Sequence, residues 1–287
     1  MSFIENKSLL RYLVDQHTRH SCQTSWWDFN SQLAKESASS LKLRLENSEA
    51  FGIGEIENIL FSYRDMGAVN TLDLFGLDEL IMFAFYWKSR TKYRRVVDMG
   101  ANVGLHTVVL NQLGYEVKSY EPDPSHVVDL KKNLRLNAMS VEGISQEAVT
   151  TDGTKVEFTR VVGNTTGSHV SGAKEDPYGE LETFDVDSAP MSEVIQNADL
   201  VKMDVEGLEA DLLSVVTKEE FDTVDFIIEI GSPKNATQIF NHLRVLEVNA
   251  FSQKNNWRKA ESVADLPMNH REGSCFISIA HEMDWSE

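Results

Sequence analysis

Five carboxylates stand where short apolar runs stop. Asp98 follows Val96 and Val97, Glu121 follows Tyr120, Asp204 and Glu206 follow Leu200, Val201 and Met203, and Glu229 lies within the run Phe226 to Ile230. If these runs are parallel strands of one sheet, the acids project from its carboxyl edge, where open α/β sheets bind ligands. An acid placed there accepts ribose hydroxyls or, beside a reacting hydroxyl, serves as a base. Gly100, Asn102 and Gly104 lie between the first two acids and form a turn with little side chain. Asp98 and Glu121 are about twenty residues apart, a separation that suits an acid on a ribose.

The nicotinamide fingerprint wants a glycine two residues after the first, and Asn102 occupies that place. Asparagine tolerates left-handed backbone, so the turn survives. A pyrophosphate would meet a bulkier turn without an obvious cation, so a nucleoside ligand lacking phosphates fits better.

The elements that must position these groups follow from local pattern. Arg95 to Val97 read as a strand; Val103, Thr107 and Leu110 recur at helical spacing; Gly114 closes that helix; and Val117 to Tyr120 restart as a strand. Asp123 and Pro124 open a second helix with the stripe Val127, Leu130 and Leu134. Ile144 to Val149 is expected as a third strand, and Ser188 with Pro190 is expected to open a helix. The fourth strand ends at Asp204, Gly207 to Val216 is helical, Phe226 to Ile230 is a fifth strand, a helix runs from about Ala236 to Leu246, and Cys275 to Ala280 is the last strand. Residues 250 to 273 carry little pattern. Alternation of strands and helices predicts a doubly wound α/β fold.

VVDMGANVG followed by YEPDP resembles the first two motifs of class I S-adenosylmethionine-dependent methyltransferases, and VKMDVEGLEADLL, Val201 to Leu213, is similar to the signature of the FkbM family. The resemblance covers roughly Arg94 to Ile230. It implies a Rossmann-like sheet with helices on both faces and O-methylation of sugars, glycans or natural products, with S-adenosyl-L-methionine as methyl donor. It also implies cofactor contacts at Asp98, Gly100, Asn102, Gly104, Glu121, Pro122 and Asp204, with Gln146 or Glu147 near the adenine. Asp204 and Glu206, with Glu229 beside them, are the acids nearest the expected methyl position. A nicotinamide-dependent oxidoreductase or a non-catalytic nucleoside-binding protein are the alternatives.

Lys155 to Asp187 exceed what a crossover needs. They predict two strands, Val156 to Val162 and Leu181 to Val186, around the loop Gly163 to Gly179, a candidate lid that carries His169 as a possible base. Thr183, Phe184 and Asp185 stand where FkbM relatives carry a Thr-x-Asp element. His106, inside the first helix, is expected to pack or cap.

Residues 1–75 read as a mainly helical accessory region and 76–287 as the methyltransferase domain. Leu9, Leu10, Leu13 and Val14 form one helical stripe, and Ile53, Ile56, Leu60 and Tyr63 another. Trp26, Trp27 and Phe29 are expected to anchor the segment. The helix after Asp78 is apolar all round and should be buried against the sheet, the accessory region or a second copy in a homodimer. Lys88 to Arg95 carries five cations as a solvated turn.

A net charge of -18 argues against a long phosphate backbone as the natural partner, and no nucleic acid is expected. Two cysteines exclude a disulfide framework. The longest apolar run, Leu80 to Trp87, is far below the roughly 20 residues of a membrane span, and the N-terminus lacks a signal-type apolar stretch, so a cytoplasmic location is expected. No metal site is legible. Metal-free catalysis is the expectation, with a Mg²⁺ held by Asp204, Glu206 and Glu229 as its rival.

Overall fold

The computed structural model describes residues 2–162, 164, 167–173 and 180–285. An eight-stranded sheet runs through it in the order Arg258–Lys259, Asn249–Ser252, Ser274–Ser278, Asp225–Glu229, Leu200–Met203, Arg95–Met99, Glu116–Tyr120, Ile144–Ser145. The last five in this order are mutually parallel and the first three join antiparallel. The chain leaves Arg95–Met99 in one direction for Glu116–Tyr120 and Ile144–Ser145. It later returns to the other side for Leu200–Met203, so the order reverses at Arg95–Met99. Crevices open at such a reversal.

Strand side chains alternate between faces, and here the alternation separates two cores. Val97, Met99, Val201, Met203, Phe226 and Ile228 face the helices Glu209–Ser214 and Pro233–Leu246. Val96, Leu200 and Ile227 face the other way, into a core shared with Leu9–Asp15, Leu77–Ser89 and Leu105–Gln112. Asp98, Lys202 and Glu229 follow the second set by the same period of two. That face is therefore roofed by residues 2–75 and the helix after them. Leu77–Ser89 buries nine of its residues, including Leu80, Phe83 and Tyr86, so its apolar faces are covered within the chain.

Several elements differ from their local pattern. Ile53 and Ile56 belong to an antiparallel hairpin, Phe51–Ile53 with Ile56–Ile59, because Gly54 turns the chain with φ +58° and packs directly on Leu10. A turn between two isoleucines imitates helical spacing. The expected strand Ile144 to Val149 is divided: Ile144–Ser145 pairs with Ser119 and Tyr120, while Ala148–Thr150 pairs with Ser188–Pro190. Ser188 and Pro190 are thus strand residues, and the helix Met191–Val194 begins after them. Residues 249–278 hold the three antiparallel strands at one end of the main sheet.

The helix Ser25–Ser40 lays Trp26 and Trp27 on the core and leaves Phe29 exposed. The basic stretch before the first sheet strand is largely exposed, as expected, and several of its cations also form ion pairs: Lys88 with Asp284, Lys92 with Asp225, Arg94 with Glu116, Arg95 with Asp199. No described helix is long and apolar enough to cross a membrane.

Candidate functional site

At the carboxyl edge of the parallel strands a cavity is lined by Gly100, Asn102, Glu121, Pro122 and Glu147 on one side and by Asp204 and Glu206 on the other. Tyr120 and His126 complete the first wall. Phe158, His169 and Val170 come from a separate antiparallel sheet, in which His169–Val170 and Leu181–Val186 flank Val156–Val161. His169–Val170 is a strand within the expected loop, so part of that loop is wall. Gly163, Thr165, Thr166 and 174–179 lie outside the described residues. Thr183 and Asp185 are exposed on their strand and do not line the cavity, whereas Phe184 packs on Phe158 from behind.

Glu121 holds the turn. It is 5% exposed, and its two oxygens accept from the Asn102 N–H at 2.8 Å and the Asp123 N–H at 2.9 Å. Asn102 adopts φ +50°, and its own side chain accepts from the Val103 N–H at 2.8 Å, which stabilises that left-handed residue locally. Gly100 has φ +73°, and a Cβ there would lie 1.8 Å from the Asp204 carbonyl oxygen. Only glycine lets the two strand ends approach so closely.

Two residues expected at the cofactor stand elsewhere. Gly104 packs against the helix Pro124–Leu136, where a Cβ would meet Leu130 at 2.3 Å; it serves helix packing and does not line the cavity. Asp98 is fully buried beneath the turn and accepts from Thr107 Oγ1 at 2.7 Å. Its Oδ1 has no hydrogen bond among the described residues, with Lys202 Nζ 3.5 Å away.

Lys202 was not singled out by sequence and proves central. Its ammonium donates to the Gly100 carbonyl at 3.1 Å and lies 3.7 Å from Asp204 Oδ2. Burial acts to lower its basicity, but Asp98, Asp204, Glu79 and Glu229 outweigh burial and hold the ammonium above its ordinary range. One buried cation therefore ties the glycine turn, the acid beneath it and the acid at the next strand end. The register pairing Lys202 with Asp98 sets this up.

Beyond Asp204 the chain enters a strained turn, with Glu206 at φ +58° and Gly207 at φ +119°. Glu209 organises it: one oxygen accepts from the Gly207 N–H at 3.0 Å, and the other accepts from Asn235 Nδ2 at 2.7 Å. Burial pushes the Glu209 carboxyl up. The acid lay within the recognised stretch, yet its spacing alone assigns it no role. His169 is 2% exposed, and its Nδ1–H donates to the Gly167 carbonyl at 3.0 Å.

Asp204 also lines a second cavity on the roofed face, together with Asp78, Glu79, His106, Lys202, Glu229 and His270. His106 bridges Tyr86 and Glu79 there, 3.0 Å from the hydroxyl and 2.7 Å from the carboxylate. It is a cavity residue, not a packing or capping residue alone. Among the described residues no group of three or more His, Cys, Asp or Glu side chains is arranged to hold a metal ion.

A parallel sheet that reverses its order beside a glycine turn, with an acid gripping that turn from the next strand, defines a doubly wound fold with a ligand crevice at its carboxyl edge. The chain belongs to the methyltransferase FkbM domain family, whose model matches residues 98–262, and it is accordingly a methyltransferase. A search of curated proteins finds no match. Among solved structures the fold is similar to the delta-N METTL16 MTase domain (12% identity, 86% of this chain and 97% of that one, TM-score 0.43). It is also similar to ribosomal protein L11 methylase from Lactobacillus delbrueckii subsp. bulgaricus (12% identity, 68% and 76%, TM-score 0.35). A third is precorrin-6y C5,15-methyltransferase from Geobacter metallireducens GS-15 (10% identity, 69% and 86%, TM-score 0.36).

Proposed function

We propose that the protein is an S-adenosyl-L-methionine-dependent O-methyltransferase acting on a hydroxyl of a sugar, glycan or natural product. The observation that carries this reading is the convergence of Gly100, Asn102, Glu121, Pro122, Glu147 and Asp204 on one cavity at the sheet reversal. The residues fit the cofactor: the bare Gly100 turn admits close approach of its methionine part, Glu121 keeps acceptor capacity for ribose hydroxyls beyond its two backbone contacts, and Glu147 borders the place for adenine. When bound, the cofactor supplies a methyl on a sulfonium whose charge suits this acidic surround. Asp98 acts from beneath, through Lys202, on the position of the turn. Asp204 is the base that takes the acceptor proton, with Glu206 and His169 on the same cavity wall. Within this reading residues 1–75 form an accessory roof over the catalytic domain 76–287, and the enzyme works in the cytoplasm.

Calorimetric titration with S-adenosyl-L-methionine tests it. Wild type binds, and Glu121→Ala weakens binding by about 1–3 kcal/mol, the cost of leaving polar partners unpaired. Unchanged affinity in the variant would mean that the ribose is read elsewhere.

A further inference from the structure

Lys202 interrupts an otherwise apolar strand. Leu200, Val201 and Met203 are fully buried, and Lys202 beside them is 7% exposed, on the face where Leu200 enters the apolar core. Stability does not call for a cation there, because well-packed apolar groups in place of a buried ion pair often hold a fold as well or better. Its contacts lead instead to the first cavity. The ammonium donates to the Gly100 carbonyl at 3.1 Å, and Gly100 lines that cavity. The Gly100 N–H donates to the Tyr120 carbonyl at 3.0 Å, so Lys202 fastens the other side of a turn residue that is already held on one. Two carboxylates flank the ammonium loosely: Asp98 Oδ1 at 3.5 Å and Asp204 Oδ2 at 3.7 Å, both longer than an ordinary N–H···O hydrogen bond. Asp98 is fully buried and that oxygen has no hydrogen bond among the described residues, so the ammonium is what answers its charge. Asp204 faces the first cavity. One cation thus stands between an acid sealed beneath the turn and an acid open to the cavity, bound to neither alone, with Glu79 and Glu229 adding to their field.

We propose that Lys202 is a positioning residue for methyl transfer: through the Gly100 carbonyl it holds the cofactor turn in place, and from behind that turn its charge tempers the pull of Asp204 on the sulfonium. The assignment rests on the cofactor reading of the first cavity. Methyl transfer breaks the carbon–sulfur bond with its electron pair left on sulfur, forms the bond from the acceptor oxygen to the methyl carbon, and passes the hydroxyl proton to Asp204, so the sulfonium charge disappears. A wall that held that charge too strongly would favour the ground state over the transition state. The Lys202 ammonium lessens this preference, and once Asp204 is protonated it keeps Asp98 as its partner.

The test uses the full chain, titrated by calorimetry with S-adenosyl-L-methionine and with S-adenosylhomocysteine, which differ by one methyl and one charge. Lys202→Met keeps the length of the side chain and removes its charge. In this variant S-adenosylhomocysteine binds about tenfold or more weakly, because the Gly100 carbonyl loses a charged donor. The affinity for S-adenosyl-L-methionine relative to S-adenosylhomocysteine rises by about threefold or more, because a cation has left the neighbourhood of the sulfonium. A role in packing alone would leave that ratio unmoved. The double substitution Asp98→Asn with Lys202→Met removes the buried anion together with its cation, so the turn is tested even where the single variant does not fold; it too binds S-adenosylhomocysteine about tenfold or more weakly. Two outcomes overturn the proposal: wild-type affinity for S-adenosylhomocysteine in either folded variant, or an unchanged affinity ratio in Lys202→Met. Failure of wild type to bind either compound strikes the cofactor reading itself and removes the basis of this one.

Discussion

Asp204 stands 3.7 Å from Lys202 and borders both cavities, so a change there alters the candidate site directly. Asp204→Asn keeps the shape, removes the proton acceptor proposed above and leaves Lys202 with Asp98. Methyl transfer from labelled cofactor should fall by about 10²–10⁴, the range for loss of a positioned base, while cofactor affinity stays near wild type. Parallel loss of cofactor binding would instead make Asp204 part of the cofactor wall. Wild-type activity should survive EDTA; activity lost to chelator and restored by Mg²⁺ would transfer the role to a metal held by these acids.

At the scale of elements, the small sheet that supplies Phe158 and His169 is fastened to the start of the helix Pro124–Leu136 by Arg160. Its guanidinium donates twice to Asp123, each at 2.7 Å, donates to Glu182 at 2.5 Å, and lies 4.8 Å over the Phe184 ring. Burial would raise the Asp123 carboxyl, but the Arg160 hydrogen bonds, His126 and the Ser125 N–H hold it below its usual range. Arg160→Gln leaves a fully buried carboxylate short of its cation, a loss of about 3 kcal/mol where a buried pair is broken from one side. Urea unfolding should show that loss in the midpoint with an unchanged slope. A midpoint equal to wild type would mean that Asp123 finds water or another donor.

For the whole molecule, the joint between residues 2–75 and the final strands is a buried aromatic cluster around His20. Its Nε2–H donates to the Leu13 carbonyl at 3.0 Å, while Trp257 Nε1 donates to its Nδ1 at 2.9 Å; Trp26 and Trp285 flank the ring. A ring that accepts at one nitrogen must be neutral, and burial accordingly lowers its pKa to about 3. The unfolded chain protonates near the usual value of about 6.5, so below that pH it binds a proton that the fold refuses. Stability from this group is intact above about 6.5 and is lost as pH falls toward about 3, at about 1.4 kcal/mol per unit. Asp78 opposes it: with its pKa raised to about 7, the fold keeps a proton that the unfolded chain releases, so stability falls as pH rises through the interval between about 4 and that value. The wild-type profile is therefore flattened where the windows overlap. His20→Gln should reduce the acid slope of the midpoint temperature between pH 6.5 and 4. An identical slope in the variant would show that His20 titrates normally.

Local pattern was enough for the strand-turn-helix-strand unit, the acids at strand ends and the left-handed Asn102, because each depends on residues within a few positions of one another. Type and spacing also placed Gly100, Asn102, Glu121, Asp204 and Glu206 at one edge, and all five line the same cavity, as do Pro122 and Glu147, which the family resemblance implied, and His169 from the candidate lid. Pairing partners were another matter. Whether Ala148–Thr150 continues the main sheet or joins Ser188–Pro190, and whether Ile53 and Ile56 lie on a helix or a hairpin, depends on segments distant in the chain. The fate of polar groups depended on them too: Asp98 is fully buried because Thr107 and Lys202 close over it, and Lys202 has its role because its register brings it opposite Asp98. What the sequence determined by itself was which groups stand at the ends of which strands, since backbone periodicity is a local property. What only the tertiary structure decided was which of those groups face a cavity and which face one another, since burial and pairing are made between segments that the sequence alone does not bring together.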